Sequence, residues 1–183
     1  MAQDIIPAVD VSLIESELTP DRHLRATNRA GNHIYVVDAH TAPHTMREIG
    51  RLRELSFRAG GGGTGKDCDI DEFDLMEPPC RQLLVWNPEV HEIIGAYRYI
   101  LGSDIRILAD GTPRIATAHM FRFSDHFMRG ILPYTIELDA LGSGPSICLL
   151  VPVCVPSTRS TTCGTAWVRS LCCTPRSNTC SAR

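Results

Sequence analysis

An acidic run in the middle of the chain carries the side chains best suited to chemistry, and it follows a glycine-rich stretch. Residues 60–66 match a phosphate-binding loop, but Asp67 stands where that loop needs a hydroxyl residue for Mg²⁺. Such a loop binds phosphate through backbone N–H groups and the positive end of a following helix. The acidic residues of the run are Asp67, Asp69, Asp71, Glu72 and Asp74. Because they would repel a phosphate, the sequence argues against a nucleotide site.

Two of these carboxylates, together with two arginines elsewhere in the chain, suit the binding of an amino acid. Asp71 and Asp74 lie three residues apart in the run. A carboxylate cluster attracts an ammonium group, whereas Arg53 and Arg98 could pair with the cluster or hold a ligand's carboxylate. A solvated acidic loop without a ligand is the competing interpretation, and composition alone favours it.

Histidine and cysteine spacing in the first 138 residues does not predict a metal site. His40 and His44 lie four apart near Asp38, but Pro43 argues against a helix that would put both histidines on one face. Cys80 follows two prolines, so we interpret it as a loop thiol rather than a nucleophile.

Length and charge restrict the class of protein. A chain of 183 residues fits one domain, and a net charge of −3, from 18 basic and 21 acidic residues, gives no electrostatic reason to bind nucleic acid. Residues 1–22 lack the basic and apolar regions of a signal peptide, and no apolar run is long enough to cross a membrane. We therefore expect a cytoplasmic protein.

The elements that must position these residues alternate between strands and a helix. Apolar spacing predicts a helix over 45–58, opened by a capping box of Thr45 and Glu48 and ended by the glycines. A phosphate loop follows a strand, so glycines after a helix are predicted to form a hinge. Strands are predicted at 33–39, 82–87, 92–101 and 133–138, while 114–127 is ambiguous. This order predicts an α/β sandwich with a largely antiparallel sheet.

Composition changes abruptly after Leu138. Beyond it Phe, Tyr, Lys, His and Met are absent, and Asp139 is the last acidic residue. Six of the eight cysteines follow: Cys148, Cys154, Cys163, Cys172, Cys173 and Cys180. A metal-binding or disulfide-rich tail is one interpretation, but no C-x-x-C pair or histidine accompanies the cysteines, and disulfides conflict with a cytoplasmic location.

The alternative interpretation of this tail is a frameshift. The genetic code permits residues 139–148 to be the out-of-phase reading of Gly-Arg-Ser-Trp-Val-Arg-Pro-Glu-Tyr-Leu. It likewise permits residues 160–169 to be the shifted reading of Asp-Asn-Leu-Trp-Asp-Gly-Leu-Gly-Ala. Because most amino acids have several codons, many different peptides can be read back in this way. The two readings therefore permit a frameshift without proving one.

Five short motifs in a fixed order resemble the acyl-homoserine-lactone synthases and their relatives, the hemolysin-like and ornithine-lipid N-acyltransferases of the GNAT superfamily. The motifs are Arg53-x-x-x-Phe57, Asp69-x-Asp71-x-Phe73-Asp74, LLVW, IIGAYR ending at Arg98, and IEL containing Glu137. The stretches APHTMREIGRLRELSFRAGGGGTG and DIDEFD are most similar to members linked to N-acylated amino-acid lipids such as glycine lipids. The resemblance covers residues 20–138. Those proteins continue after this region with the two peptide sequences given above for the shifted frame, so the resemblance favours the frameshift.

The resemblance implies a GNAT-like fold, a mixed and largely antiparallel sheet flanked by helices, with its C-terminal part missing or replaced. Residues 1–138 would form the N-terminal part of that domain, and 139–183 an out-of-frame, disordered tail. The implied reaction transfers a fatty acyl group, 3-hydroxylated in these proteins, from acyl carrier protein or coenzyme A to the amine of an amino acid in glycine- or ornithine-type lipid biosynthesis. No tightly bound cofactor or metal is implied, and the partners would be acyl carrier protein, the acceptor and, through the lipid product, the membrane surface.

The resemblance also gives the candidate residues their roles. Glu137 would be the catalytic base or relay a proton through water, although a carboxylate that only pairs with an arginine fits equally well. Phe57 and Phe73 would line the acyl pocket, and plain core packing is the alternative for both. The acceptor pocket would be formed by Arg53, Asp71, Asp74 and Arg98.

Two other functions remain open at the level of sequence. A chain without the C-terminal half would bind its donor poorly and could be an inactive, non-catalytic remnant. An acyl-homoserine-lactone synthase shares the arginine and acidic motifs but fits the glycine run and the MREIGRLRE helix less well.

Overall fold

Six antiparallel strands form the centre of the protein and follow one another across a single sheet in chain order. The computed structural model describes residues 2–28, 30–140 and 148–152. The strands are β1 (His23–Ala26), β2 (His33–Val37), β3 (Arg81–Asn87), β4 (Glu92–Leu101), β5 (Thr135–Ala140) and β6 (Cys148–Pro152). All neighbouring pairs are antiparallel. The predicted α/β fold with a largely antiparallel sheet is therefore confirmed.

Four α-helices and three short 3₁₀ helices accompany the sheet in the described residues. The α-helices are α1 (Val11–Glu17), α2 (Pro43–Ala59), α3 (Glu72–Leu75) and α4 (Asp125–Gly130). The 3₁₀ helices are Gly102–Asp104, Ala116–His119 and Leu132–Tyr134. Over these residues, no helix combines the length and apolarity that a membrane crossing requires.

The predicted helix exists, but its predicted capping box is wrong. Helix α2 begins at Pro43, two residues early, and Glu17 at the end of α1 accepts hydrogen bonds from the His44 N–H at 3.0 Å and the Thr45 N–H at 2.7 Å. The Thr45 hydroxyl donates to the same carboxylate, and Glu48 instead accepts from the Val9 N–H. A tertiary contact therefore satisfies the free N–H groups of this helix.

The predicted strands are all present, and the ambiguous segment contains helices. The four predicted strands correspond to β2, β3, β4 and β5, and the ambiguous segment 114–127 contains a 3₁₀ helix and the start of α4. Of the tail from residue 139, the structure describes only the end of β5 and strand β6. The rest of the predicted tail, including the region of most of its cysteines, lies outside the described residues.

Two apolar cores lie within the described structure. The first joins α1, α2 and the sheet through Ile14, Val37, Met46, Ile49, Leu84 and Trp86, among others. The second joins α3 to the segment between β4 and β5 through Phe73, Met76, Cys80, Ile100, Ile105, Ile115 and Leu132. This second core packs α3 and the 3₁₀ helix Ala116–His119 against strand β4.

Gly102 lies directly after β4, where the chain passes very close to Leu132. A Cβ atom at this position would lie 1.8 Å from the Leu132 carbonyl oxygen. We expect Gly102→Ala to lower the free energy of unfolding by about 1–3 kcal/mol, because the backbone must move to admit the methyl group. Gly95→Ala is the control, since a Cβ at Gly95 meets no atom within 4 Å. Urea denaturation checks this, and equal stability of the two variants would contradict the packing.

Candidate functional site

The glycine-rich stretch wraps around a buried carboxylate of α2 instead of forming an open loop. Glu54 is fully buried and accepts hydrogen bonds from the Thr64 N–H at 3.0 Å and the Gly65 N–H at 2.9 Å. The Thr64 hydroxyl and Arg58 Nε also donate to it, at 2.6 and 2.7 Å. The backbone N–H groups that a phosphate loop would direct at a ligand are thus used internally. These contacts tie the stretch to α2, in contrast to the predicted hinge.

The contacts to Glu54 also change its acidity. Burial by itself would raise the pKa of the Glu54 carboxyl, but hydrogen bonds from Thr64, Arg58 and Gly65 hold it at about 2, against an ordinary value of 4.5. Because the folded protein has the lower pKa, the unfolded chain takes up the proton first as the pH falls.

Acid should therefore remove the stability that Glu54 contributes. We expect this contribution, about 3 kcal/mol at 1.36 kcal/mol per pKa unit, to be complete above pH 5 and lost as the pH falls towards 2. Glu54→Gln should be less stable than wild type at pH 7, with the difference shrinking in acid. Chemical denaturation at several pH values measures this, with the exposed Glu72→Gln as control. A difference that does not change with pH would refute the assignment.

Gly50 of α2, which has no side chain, allows the acidic run to pack directly against the helix. The Asp69 N–H donates to the Gly50 carbonyl oxygen at 3.1 Å. A Cβ at Gly50 would lie 2.7 Å from Cys68 Sγ, so only glycine permits this approach. One turn further along α2, buried Arg53 reaches Asp69 Oδ2 through Nε at 3.2 Å.

Asp74 is the centre of the polar network and has no solvent exposure. Its Oδ2 accepts from Arg53 Nη1 at 2.8 Å and from the Asp71 N–H at 3.1 Å. Its Oδ1 accepts from Gln82 Nε2 at 3.0 Å and lies 3.4 Å from Arg98 Nη1. Asp71 in turn caps α3, and Asp71 and Asp74 together form a capping box at the start of that helix. The capping box predicted at Thr45 belonged to α2 and is absent there. The short helix α3 holds two carboxylates towards both arginines.

Arg98 connects the acidic run to the sheet. On β4 it lies opposite Gln82 of β3 and Asp139 of β5. Its guanidinium donates to Asp71 Oδ2 at 2.6 Å and to Asp139 Oδ2 at 2.8 Å, and it lies 5.7 Å above the Phe73 ring. Burial would lower the pKa of Arg98, but the carboxylates of Asp74 and Asp71 raise it well above its ordinary value. The group therefore stays charged.

The network contains more carboxylates than guanidinium groups. Four aspartates, Asp69, Asp71, Asp74 and Asp139, face the two arginines Arg53 and Arg98. Burial raises the pKa of Asp69. Burial also acts to raise the pKa of Asp71, but the charge and hydrogen bond of Arg98, the charge of Arg53 and the Asp74 N–H together lower it. Asp71 is also the most open of the four aspartates in the network, with 31% of its side chain exposed. Such a site attracts a cation and has an accessible carboxylate to receive it.

Glu137 lies on β5 with only 4% of its surface exposed. Its Oε1 accepts from the Thr117 N–H at 2.8 Å and its Oε2 from the Ala116 N–H at 3.3 Å. Both donors belong to the start of one 3₁₀ helix, which fixes the plane of the carboxylate. Among the described residues no arginine pairs with Glu137, so backbone amides replace the ion pair considered from sequence.

A narrow cavity with no room for a water molecule lies beside both Glu137 and the network. Its walls include Phe73, Cys80, Arg98, Ala116, Glu137 and Asp139. Burial raises the pKa of the Cys80 thiol to about 12, so at neutral pH it is a protonated wall group and not a nucleophile. The cavity therefore places the Glu137 carboxylate next to Arg98 and Asp139 of the network.

The two phenylalanines differ in their relation to this cavity. Phe73 lines it and also belongs to the second core, and its ring meets the edge of His119 at 5.8 Å. Phe57 is half-buried on α2, one turn after Arg53. A larger cavity of about 320 Å³ lies on the other side of the acidic run, and none of the predicted site residues lines it.

Several residues of the site were not predicted. Gln82 had a signal, because strand alternation places it on the same buried face as Leu84 and Trp86. Thr117 had none, since its contact to Glu137 depends on a 3₁₀ helix in the ambiguous segment. Within the described ranges, no group of three or more His, Cys, Asp and Glu side chains has metal-binding geometry.

The comparisons with known proteins agree with this geometry at the level of the domain. Residues 52–138 match the family described as acetyltransferase (GNAT) domain. The matched segment spans Arg53, the acidic run, Arg98 and Glu137, so all of the network except Asp139 lies in the part of the chain that is similar to this family.

Two curated relatives are similar over a longer part of the chain. A glycine N(alpha)-acyltransferase of Bacteroides thetaiotaomicron is 57% identical over 136 residues, which is 74% of this chain and 40% of the relative. A second protein of that name, from Phocaeicola vulgatus, is 52% identical over 136 residues, 74% of this chain and 42% of the relative. The chain thus spans about two-fifths of the length of these relatives. No solved structure matches it.

Proposed function

We propose that this chain carries the amine-binding side of an N-acyltransferase, which transfers a fatty acyl group from acyl carrier protein to the amine of glycine. The observation that carries the proposal is the excess of carboxylates over guanidinium groups beside the buried carboxylate of Glu137. The high identity to two proteins named glycine N(alpha)-acyltransferase supports glycine over ornithine as acceptor.

The proposed chemistry uses the carboxylates at two stages. An amino acid arrives as an ammonium ion, which the network attracts and which must lose a proton before its nitrogen can attack. Glu137 takes that proton, directly or through a water molecule. The nitrogen then forms a bond to the thioester carbonyl carbon, the carbon–sulfur bond breaks, and the leaving thiolate takes up the second proton released when the amide forms. Phe73 is proposed to contact the acyl chain where it passes Arg98.

The donor and the cellular setting are further parts of the proposal. Acyl carrier protein is favoured over coenzyme A, and a 3-hydroxylated chain over an unsubstituted one, because of the resemblance to lipid N-acyltransferases. An enzyme of this kind would work in the cytoplasm and contact the membrane surface through its product. Parallel assays with acyl carrier protein and coenzyme A thioesters decide the donor.

The tail after residue 138 is proposed to be an out-of-frame reading. Its support is the change of composition after Leu138 and the end of the family match at the same residue. The restored frame would place glycine instead of Asp139 and leave three carboxylates against two arginines in the network. Resequencing the gene across the codons of Leu138 and Asp139 tests this, and an unchanged reading frame would refute it.

Product analysis separates the proposed function from the alternatives. Mass spectrometry of the reaction with glycine should detect N-acylglycine. An acyl-homoserine lactone formed from an S-adenosylmethionine acceptor would favour a signal synthase instead, and no product from any donor would indicate a non-catalytic remnant.

Asp71 gives a direct test of amine binding. We expect Asp71→Asn to weaken glycine binding by at least about 10-fold, because it removes the accessible charge of the cluster. Asparagine still caps a helix, so α3 should persist. Asp67→Asn is the control, because it makes the same change of charge at an exposed position outside the network. Calorimetric titration with glycine measures both variants, and equal losses would contradict a specific role.

A further inference from the structure

The surface around α3 exposes several large apolar side chains. Leu75 of the helix itself is 59% exposed. The connection between β4 and β5 meets α3 at two points, where Arg114 lies 3.5 Å from Glu72 and the ring centres of His119 and Phe73 are 5.8 Å apart. Near these two points the connection has four large apolar side chains with 46% to 60% of their surface exposed: Ile107, Leu108, Met120 and Phe121.

Local contacts place these side chains close to α3. Ile107 forms a β-bridge with Pro113, which directly precedes Arg114. Met120 directly follows His119, where the 3₁₀ helix ends. Single exposed apolar residues are ordinary on a protein surface, but several together mark a place of contact with another molecule. We call this set the α3 surface, and it consists of Leu75, Ile107, Leu108, Met120 and Phe121.

Two arginines adjoin the apolar residues of the α3 surface. Arg106 and Arg122 are exposed, and neither has an ion pair in the described part of the protein. Asp110 of the same connection accepts the Thr112 N–H at 2.9 Å and pairs with neither arginine. A free guanidinium suits the phosphate group of a lipid, while its methylene stem lies along apolar surface. Exposed apolar side chains beside basic ones are typical of segments that bind a membrane surface.

We infer that the α3 surface binds a membrane, with its apolar side chains among the lipid chains and with Arg106 and Arg122 on lipid phosphates. This inference rests on the proposed function, whose product carries a long aliphatic chain. The cavity beside Glu137 has no room for a water molecule, so that chain must extend beyond it. Asp71, the most open carboxylate of the network, caps α3, so the proposed acceptor site lies next to the α3 surface. A membrane at this place would take up the chain without exposing it to water.

The test measures how the full chain binds vesicles of equal parts phosphatidylglycerol and phosphatidylcholine, by co-sedimentation. Two double variants each remove one arginine and one exposed apolar side chain: Arg106→Gln with Leu108→Ser, and Phe121→Ser with Arg122→Gln. We expect each of them to weaken vesicle binding by about 10-fold or more, because apolar insertion and contact with lipid phosphates both contribute.

A double variant on β1 is the matched control. Leu24→Ser with Arg25→Gln makes the same two kinds of change at the β1 edge of the sheet, and Leu24 is 50% exposed against 46% for Leu108. This variant should bind vesicles within about 3-fold of wild type. Because the side chains replaced on the α3 surface are exposed, the urea midpoints of those variants should stay close to that of wild type.

Each outcome decides the inference. It is overturned if wild type does not bind vesicles, if the control loses as much binding as the α3-surface variants, or if either of these variants binds like wild type. Loss of binding to acyl carrier protein with unchanged vesicle binding would make this a carrier-protein surface instead. Vesicle binding that is absent from the protein with a restored reading frame would assign the surface to contacts with the rest of a longer chain. The vesicle assay needs no glycine and no acyl donor, so these results are distinct from a failure to form N-acylglycine.

Discussion

A Glu137→Gln protein is expected to fold and to transfer acyl groups about 100- to 10,000-fold more slowly than wild type, the range typical for loss of a general base. Gln keeps an oxygen that can accept the Thr117 N–H, and it loses only the longer hydrogen bond from the Ala116 N–H. Because the amide cannot take a proton from an ammonium group, the loss should lie in kcat rather than in KM for glycine.

A second buried glutamate supplies the matched control for this variant. Glu54 also accepts two backbone N–H bonds, but it lies under the glycine-rich stretch and outside the cavity. Glu54→Gln should reduce stability without reducing kcat at temperatures where the variant is folded. Steady-state kinetics of both variants checks the pair. A similar kcat for Glu137→Gln and wild type would mean that Glu137 only anchors the 3₁₀ helix.

Asp74→Asn is expected to be the most destabilising single change in the site, at about 3–5 kcal/mol. Each oxygen of Asp74 faces two donors, from Arg53 and the Asp71 N–H on one side and from Gln82 and Arg98 on the other. An asparagine must turn its own NH₂ towards one of these pairs, so two donors meet and a buried guanidinium loses a charged partner.

An exposed aspartate controls for the change of residue type. Asp125 is in the first turn of α4, with 93% of its side chain exposed, and reaches Arg129 only at 4.0 Å. Asp125→Asn should change stability by less than about 0.5 kcal/mol. Urea denaturation at neutral pH compares the two variants, and a loss below about 1 kcal/mol for Asp74→Asn would show that the network adds little to the fold.

Local periodicity was sufficient to predict the helix and the strands that carry most of the site residues. The apolar spacing of α2 placed Arg53, and the alternation in β3 and β4 placed Arg98 between buried neighbours. Burial of an arginine is not visible in such a pattern, because it depends on four aspartates that come from two other places in the chain, the acidic run and β5. The short motifs of the family resemblance, not the composition, identified Asp71, Asp74 and Glu137.

The remaining features depend on contacts between distant segments. Glu17 caps α2 from 27 residues away, so a local capping rule chose the wrong residue. The glycine-rich stretch resembled a phosphate loop because its N–H groups do converge on an anion, but that anion is the protein's own Glu54. The amides that hold Glu137 come from a single 3₁₀ turn whose sequence has no helical or strand periodicity.

The most direct test of the central claim is a product assay with the protein expressed from the gene whose reading frame is restored after Leu138, because the given chain spans only about two-fifths of the length of its relatives. The protein is incubated with a long-chain 3-hydroxyacyl carrier protein and ¹⁵N-glycine, and the extract is examined by mass spectrometry. We expect ¹⁵N-labelled N-acylglycine that is strongly reduced by Glu137→Gln and by Asp71→Asn but not by Asp67→Asn. Absence of the labelled product, or equal product from wild type and Glu137→Gln, would contradict it.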